Sequence, residues 1–313
     1  MIPALIADPA LEARFAALPP DGMTIFTLGG SSLRGALLHG TRLVNHMRAN
    51  HGLGPLETLI LGRAYLLAGL LTATIKGGDR LAFRVDGDGP AAGLSVEAAA
   101  DGSVRGYLLR SPIPAESLPA DGALHAALFG AGALTMTRFI EGRTRPFSGT
   151  VALGSSGLAK DLARYYLESE QTRTAFDAGI QFDRDGRAVG AGALYLQALP
   201  GADPELVGRV EEAMGRLPAL GLWFSEGGTR DAFLAELLGP FGPERLGERV
   251  VRFNCVCSRE GFSAFLKAGK REILAELAAT GPWPAEVTCH NCGTAYHFQK
   301  AELEAMLAST TES

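Results

Sequence analysis

Three observations predict an α+β fold, with an N-terminal core of antiparallel or mixed sheets, followed by a helical stretch and a cysteine-bearing C-terminal region. Apolar strands come in consecutive runs with helices interspersed, which is unlike the regular alternation of a doubly wound sheet. The character of the chain changes after Pro200-Gly201. All four cysteines lie beyond residue 254 of 313.

Thr24–Leu28 and Leu33–Leu38 read as strands, and Thr41–Asn50 reads as a helix closed by His51-Gly52. Pro55 opens a long apolar helix reaching Ile75 and ended by Gly77-Gly78. Strands follow at Leu81–Val85, Leu94–Ala98 and Val104–Leu109, separated by the turn sequences DGDGP and ADGS. Ala133–Ile140 and Phe147–Leu153 form another strand pair. A helix is expected at Leu158–Glu168, then strands at Ala175–Phe182 and Ala193–Leu199. Beyond residue 201, Pro204–Leu217 and Thr229–Leu238 read as amphipathic helices bounded by Gly and Pro. Leu206, Val210, Leu220, Trp223, Phe224, Phe233, Leu237 and Leu238 give this stretch apolar surface, with no long strand to anchor it. It is either an ordinary helical subdomain or a marginally stable segment that needs a surface to pack on.

At 47% hydrophobic and 20% charged, the chain has ample material for a packed core and is not disordered. A net charge of −5 argues against a nucleic-acid-wrapping or membrane-surface role. Arginine dominates the basic residues, which reads as compositional bias. The N-terminal MIPALIADPALEARF carries Asp8 and Glu12 where a secretory signal requires lysines and an unbroken apolar stretch. The most apolar window, Leu56–Ile75, contains Glu57 and Arg63; a central arginine costs about 2.5–3.5 kcal/mol on membrane insertion. A buried core helix is therefore expected, in a soluble, cytoplasmic protein with no membrane partner.

The cysteines read FNCVCSRE and VTCHNCGTAYHF: Cys255-x-Cys257, then Cys289-x-x-Cys292. Four cysteines placed at random would gather there about one time in a thousand, so the pattern is a signal. Paired thiolates one or two residues apart supply two soft ligands from one tight turn, and tetrahedral zinc takes four at about 2.3 Å. Asn291 and Gly293 suit the left-handed backbone of such a knuckle. Val250, Val251 and Phe253, with Tyr296 and Phe298, are candidates for an apolar floor beneath the metal. Four unrelated buried thiols would not explain the spacing, and a thioredoxin-type pair would leave the C-x-C unexplained. His290 and His297 are near enough to ligate, but four thiolates make both bystanders. Protonated His290 would lower the pKa of a neighbouring thiol.

The C-x-C spacing carries a further implication. Cysteines one residue apart close a disulfide only through a small, strained ring, which is easily reduced again. Zinc also keeps its thiolates deprotonated and hence open to oxidants. Structural zinc contributes about 10–16 kcal/mol to folding a small metal domain, so oxidising its ligands removes most of what holds that domain together. The spacing suggests a switch.

No other motif carries chemistry. GSSGLAK (Gly154–Lys160) lacks P-loop spacing, GDGP (Gly87–Pro90) fits a hairpin turn, and Gly29–Ser32 is a loop. No nucleophile elbow or zincin helix occurs. His39, His46, His51 and His125 form no ligand-spaced set and are expected at helix ends or the surface. No catalytic constellation is present, so a non-enzymatic protein is expected.

These residues resemble the redox-regulated chaperones of the 33 kDa heat-shock protein family. The strongest piece is the paired-cysteine signature; LLTATIKG (Leu70–Gly77), GDGP, VRGY (Val104–Tyr107), DLARYYLESEQT (Asp161–Thr172) and LYLQALPGA (Leu194–Ala202) support it. The resemblance implies a core domain at 1–201 that binds clients and dimerises, a helical linker at 202–250, and a zinc-binding redox-switch domain at 251–313. It implies an inactive reduced form holding one zinc through Cys255, Cys257, Cys289 and Cys292. Oxidation would form Cys255–Cys257 and Cys289–Cys292 disulfides, expel zinc, and unfold the switch domain and linker. The exposed surface, with Trp223, Phe224, Phe233 and Leu237, would hold unfolding client proteins without ATP, in an activated homodimer.

Three other readings compete. A zinc-ribbon nucleic-acid binder requires a basic stripe, yet residues 251–300 hold six Lys/Arg against four Asp/Glu, and a zinc tetrathiolate adds two negative charges. A thiol–disulfide oxidoreductase would act through Cys289 and Cys292. A constitutive chaperone would keep its zinc as a purely structural staple.

Overall fold

The computed structural model describes residue 6, residues 8–114 and residues 124–309. The domain limits expected at residues 1 and 313 lie outside the described residues. In chain order the elements are helix α1 (Pro9–Ala17), strands β1 (Gly22–Leu28) and β2 (Leu33–His39), and helices α2 (Thr41–His51) and α3 (Pro55–Leu71). Strands β3 (Arg80–Gly87), β4 (Gly93–Ala99) and β5 (Ser103–Leu108) precede helix α4 (Leu124–Phe129). Next come β6 (Gly132–Phe139), β7 (Phe147–Ala152), α5 (Leu158–Glu168), β8 (Thr174–Phe182) and β9 (Ala188–Ala198). Helices α6 (Pro204–Met214), α7 (Leu220–Ser225) and α8 (Arg230–Leu237) lead to β10 (Glu244–Arg249) and β11 (Arg252–Phe253). The chain finishes with α9 (Arg259–Ala268), α10 (Arg271–Thr280), β12 (Ala285–Thr288), β13 (Ala295–Phe298) and α11 (Lys300–Ser309). Two compact units result, one up to Phe253 and one from Asn254 onward.

The first unit is built around α3. Pro55 occupies its first turn, and the N–H and hydroxyl of Thr58 both return to the Gly54 carbonyl, fixing the start. The helix touches β2, β8 and β9 on one side and β3, β4 and β5 on the other, so it is buried nearly all round. Tyr65, fully buried, donates its hydroxyl to the Gly106 carbonyl at 2.9 Å. Glu57 is buried too, its carboxylate accepting the Ile113 N–H at 3.0 Å. Among the described residues, Pro55–Thr74 is long and apolar enough to cross a membrane, but its most apolar stretch is mostly buried inside the fold. The expected core helix is what forms.

One sheet has the order β10-β1-β2-β9-β8 and is antiparallel throughout. The other runs β11-β5-β4-β3-β6-β7, antiparallel except for the parallel β11–β5 pair. The fold is thus α+β with one antiparallel and one mixed sheet. Strand β9 is buried at ten consecutive positions because helices cover both its faces: α2 and α3 on one, α7 on the other.

Helices α6, α7 and α8 share one apolar core with the first sheet. Val207, Val210, Leu220, Phe224, Phe233 and Leu234 pack with Phe26, Leu28, Leu33, Leu37, Leu194 and Leu196. Glycines on β9 permit the approach of α7: a methyl at Gly190 would meet the Gly221 carbonyl oxygen at 2.2 Å, and one at Gly192 the Phe224 ring at 2.3 Å. Gly190→Ala is expected to cost about 1–3 kcal/mol through overpacking, read as a lower urea midpoint at unchanged slope.

Two expectations need correction, and one short strand is unanticipated. Beyond residue 201, where no long strand is expected, Glu244–Arg249 forms the six-residue β10 and pairs with β1 along its edge. Val251 and Phe253, assigned to the floor beneath the metal, belong to the first unit, where Phe253 lies against Tyr65 with ring centroids 6.3 Å apart; Val250 is exposed. His39, expected at a helix end or the surface, is buried on β2. It stacks on Phe224 at 4.4 Å with Nε2 2.9 Å from the Thr41 hydroxyl, and desolvation pushes its pKa down to about 4.

Candidate metal centre

The second unit has a small core in which Leu274 and Ala278 of α10, Ala285 and Phe298 of the hairpin, and Leu303 and Met306 of α11 meet. Strands β12 and β13 pair from Ala285↔Phe298 to Thr288↔Ala295, so residues 289–294 form the hairpin loop. That loop is a tight knuckle. Its backbone N–H groups at Cys292 and Gly293 both point to the Cys289 carbonyl, and Gly293 takes φ +70°. The glycine and the turn expected here are therefore needed for the same reason, to bring the second cysteine back towards the first.

The first pair sits on residues 254–258, where the chain enters α9. Ser258 caps this helix, its hydroxyl accepting the Gly261 N–H at 3.0 Å. Arg259 then ties the cysteine arm to the hairpin and α11. Its guanidinium donates to the His297 carbonyl, pairs with Glu302 at 2.7 Å, and lies over the Phe298 ring at 4.7 Å. Glu302 also accepts the Gln299 N–H, and that bond first, then Arg259, holds its carboxyl below the usual range.

These anchors bring all four sulfurs within 4.8 Å of one another. Cys255 Sγ lies 3.8 Å from Cys289 Sγ, and Cys257 Sγ 3.4 Å from Cys292 Sγ. Four thiolates at about 2.3 Å from one tetrahedral ion stand roughly 3.8 Å apart, so the spacing fits a metal. Cys255, Cys289 and Cys292 are buried, and Cys257 is half-buried. Neither His290 nor His297 belongs to the cluster; His297 is exposed, with Nδ1 3.9 Å from Glu286. An all-sulfur donor set selects a thiophilic ion and disfavours the oxygen-seeking calcium and magnesium.

Crowding and burial raise the cost of ionising two of the thiols. The Cys255 thiol is pushed up to about 12 by its hydrogen bond to Cys292 and by burial, and Cys289 up to about 11 by burial and the charge of Cys255. Cys292 is held below the usual thiol value, first by the hydrogen bond from Cys255. A bound cation reverses this balance and deprotonates its ligands outright.

Tyr296 and Phe298, read as apolar floor, divide the work. Phe298 is fully buried in the small core, whereas the Tyr296 hydroxyl reaches Cys257. The tie made by Arg259 had no counterpart in the sequence reading, because its partners lie about forty residues away.

The fold and the site together define an α+β protein whose second unit carries four clustered thiols that could hold a metal ion. The chain matches the Hsp33 protein family over residues 21–299. It is 36% identical over 273 residues to a 33 kDa chaperonin of Desulforamulus reducens, covering 87% of this chain and 92% of that one. It is 37% identical over 298 residues to a 33 kDa chaperonin of Thermus thermophilus, covering 90% and 84%. The crystal structure of the 33 kDa chaperonin of Thermotoga maritima superposes with a TM-score of 0.81 at 28% identity, covering 93% of this chain and 99% of that one. The chain belongs to the Hsp33 family of chaperones.

Proposed function

We propose that the protein is a redox-regulated, ATP-independent holdase whose reduced form keeps one zinc ion on Cys255, Cys257, Cys289 and Cys292 and is inactive. The observation that carries this reading is the gathering of four thiols, from two arms of the chain, within 4.8 Å in a unit with a small core. Two peroxide molecules oxidise the two cysteine pairs, forming Cys255–Cys257 and Cys289–Cys292 disulfides. Each peroxide O–O bond takes two electrons from one pair, so four hydroxide ions and the free zinc ion are the other products. Loss of the metal unfolds the switch domain, taken as residues 251–313, and releases the linker, residues 202–250, from the core at 1–201. The apolar surface thereby exposed, Phe224 and Phe233 included, holds unfolding client proteins, and the activated chain is a homodimer acting in the cytoplasm. The protein performs no catalysis and takes neither nucleic acid nor membrane as partner.

The test follows zinc release colorimetrically while reduced protein meets peroxide at mildly elevated temperature, with suppression of a client's thermal aggregation read on the same sample. Release of close to one zinc per chain as thiols vanish, with holdase activity rising in step, is expected. Zinc that stays bound while aggregation is suppressed throughout would identify a constitutive chaperone with a structural metal. Reduction of insulin coupled to a thiol donor would identify an oxidoreductase.

A further inference from the structure

Helix α1 lies ahead of residues 21–299, the span that matches the family, and packs on the first unit. Of its side chains only Leu11 is buried. A helix of nine residues has little stability of its own, so contacts at its edges must hold it in place. Three do so. Asp8 caps the helix, accepting the N–H groups of Ala10 and Leu11, and pairs with Arg187 of the β8–β9 turn at 2.7 Å. The guanidinium of Arg42, on α2, lies over the Phe15 ring at 5.4 Å and donates to the Phe15 carbonyl. Arg14, half-buried between these two anchors, donates from Nε to the Val189 carbonyl of β9 at 3.2 Å. Its Nη2 donates to the Ser225 carbonyl of α7 at 2.5 Å.

This last bond joins two layers. Carbonyls in the final turn of a helix lack partners within it, and a cation placed there also meets the negative end of the helix dipole. Ser225 is the last residue of α7, and it sits against Gly190 of β9, where a methyl would meet its nitrogen at 2.5 Å. Arg14 therefore grips α7 where that helix comes closest to the sheet.

We propose that α1 is a clasp: through Arg14 it fastens α7, and with it the layer of α6, α7 and α8, to β9, and so sets how readily that layer is released. The consequence for activity rests on the holdase reading above, in which release of this layer exposes the client surface. The clasp acts on the layer directly and does not depend on the chemistry at the cysteines. Apolar packing supplies most of the hold, and the charged donor adds an increment that a single substitution removes.

The experiment compares the full-length, reduced, zinc-loaded chain with Arg14→Ala and Asp8→Ala, first by hydrogen exchange and then by the peroxide dose that gives half-maximal holdase activity. The amides of Trp223, Glu226 and Gly228 bond to the carbonyls of Ala219, Leu222 and Trp223 and so report on α7. In Arg14→Ala they are expected to exchange about tenfold faster, while α3 and β4 keep their rates. Asp8→Ala keeps the Arg14 side chain but removes the cap and the pair with Arg187, and is expected to speed the same amides about threefold. Both variants should reach half-maximal activity at a lower peroxide dose, Arg14→Ala at the lowest. Unchanged exchange at these amides in either variant overturns the proposal, and so does an acceleration spread evenly over both sheets, which would mean a general loss of stability. Faster local exchange with an unchanged peroxide dose overturns it too. If the wild-type chain shows no peroxide-dependent activity, the holdase reading fails, and the exchange pattern still decides whether α1 fastens α7.

Discussion

Removing the metal from the reduced chain with a strong chelator is expected to unfold residues 254–309 and leave the two-sheet unit folded. The second unit has little else to stand on. Its core is six buried residues, and α9 contributes none of them. A core of that size supplies at most a few kcal/mol, against about 10–16 kcal/mol for a structural zinc site. Its ion pairs, Arg259 with Glu302 and Lys300 with Glu304 among them, are well exposed on both sides and add little. Hydrogen exchange should therefore show amides of α10, α11 and the β12–β13 hairpin losing protection on chelation, while α3 and β9 keep theirs. Protection that persists in the second unit would mean that the metal is dispensable to its fold and that metal loss cannot drive a switch.

Phe224→Ala is expected to cost about 3–5 kcal/mol and to free α6, α7 and α8 in the absence of oxidant. Phe224 is fully buried, stacks on His39, and fills the space that Gly192 leaves open on β9. It lies on a helix of only six residues, which has little intrinsic stability once its anchor is gone. Holdase activity in reducing buffer, with raised exchange confined to residues 204–238, would establish that this layer is held by packing and can be released by weakening it. Uniform loss of protection through both sheets would show instead that the helices and the sheet fold as one cooperative unit, and linker release would need a different trigger.

Much of this architecture was legible in the sequence. The limits of α5 agree with the expected Leu158–Glu168, and α2 and the strands from β1 to β8 fall within a few residues of expectation, whereas α3 stops four residues before Ile75 and β9 begins five residues before Ala193. The cysteine pairs were equally plain, since their spacing encodes the turns that hold them. Strand β10 was not legible: ERLGER has no apolar face, and its extended form comes from pairing with β1 some 220 residues earlier in the chain. Val251 and Phe253 misled for a related reason. Closeness in sequence to Cys255 suggested a floor for the metal, while their actual partners lie on β5 and α3. The reach of Tyr296 to Cys257 spans 39 residues and has no local signature at all.

Strand β10 has a consequence for keeping such a protein in store. An open sheet edge invites pairing with other chains, and β1, whose inward residues are wholly buried, would offer a long and apolar one. The strand that covers it is polar and contributes no buried side chain. Glu248 pairs there with both Arg245 and Arg230. The molecule thus turns a charged ribbon outward where it would otherwise be stickiest. Edge-to-edge pairing between folded copies is thereby disfavoured.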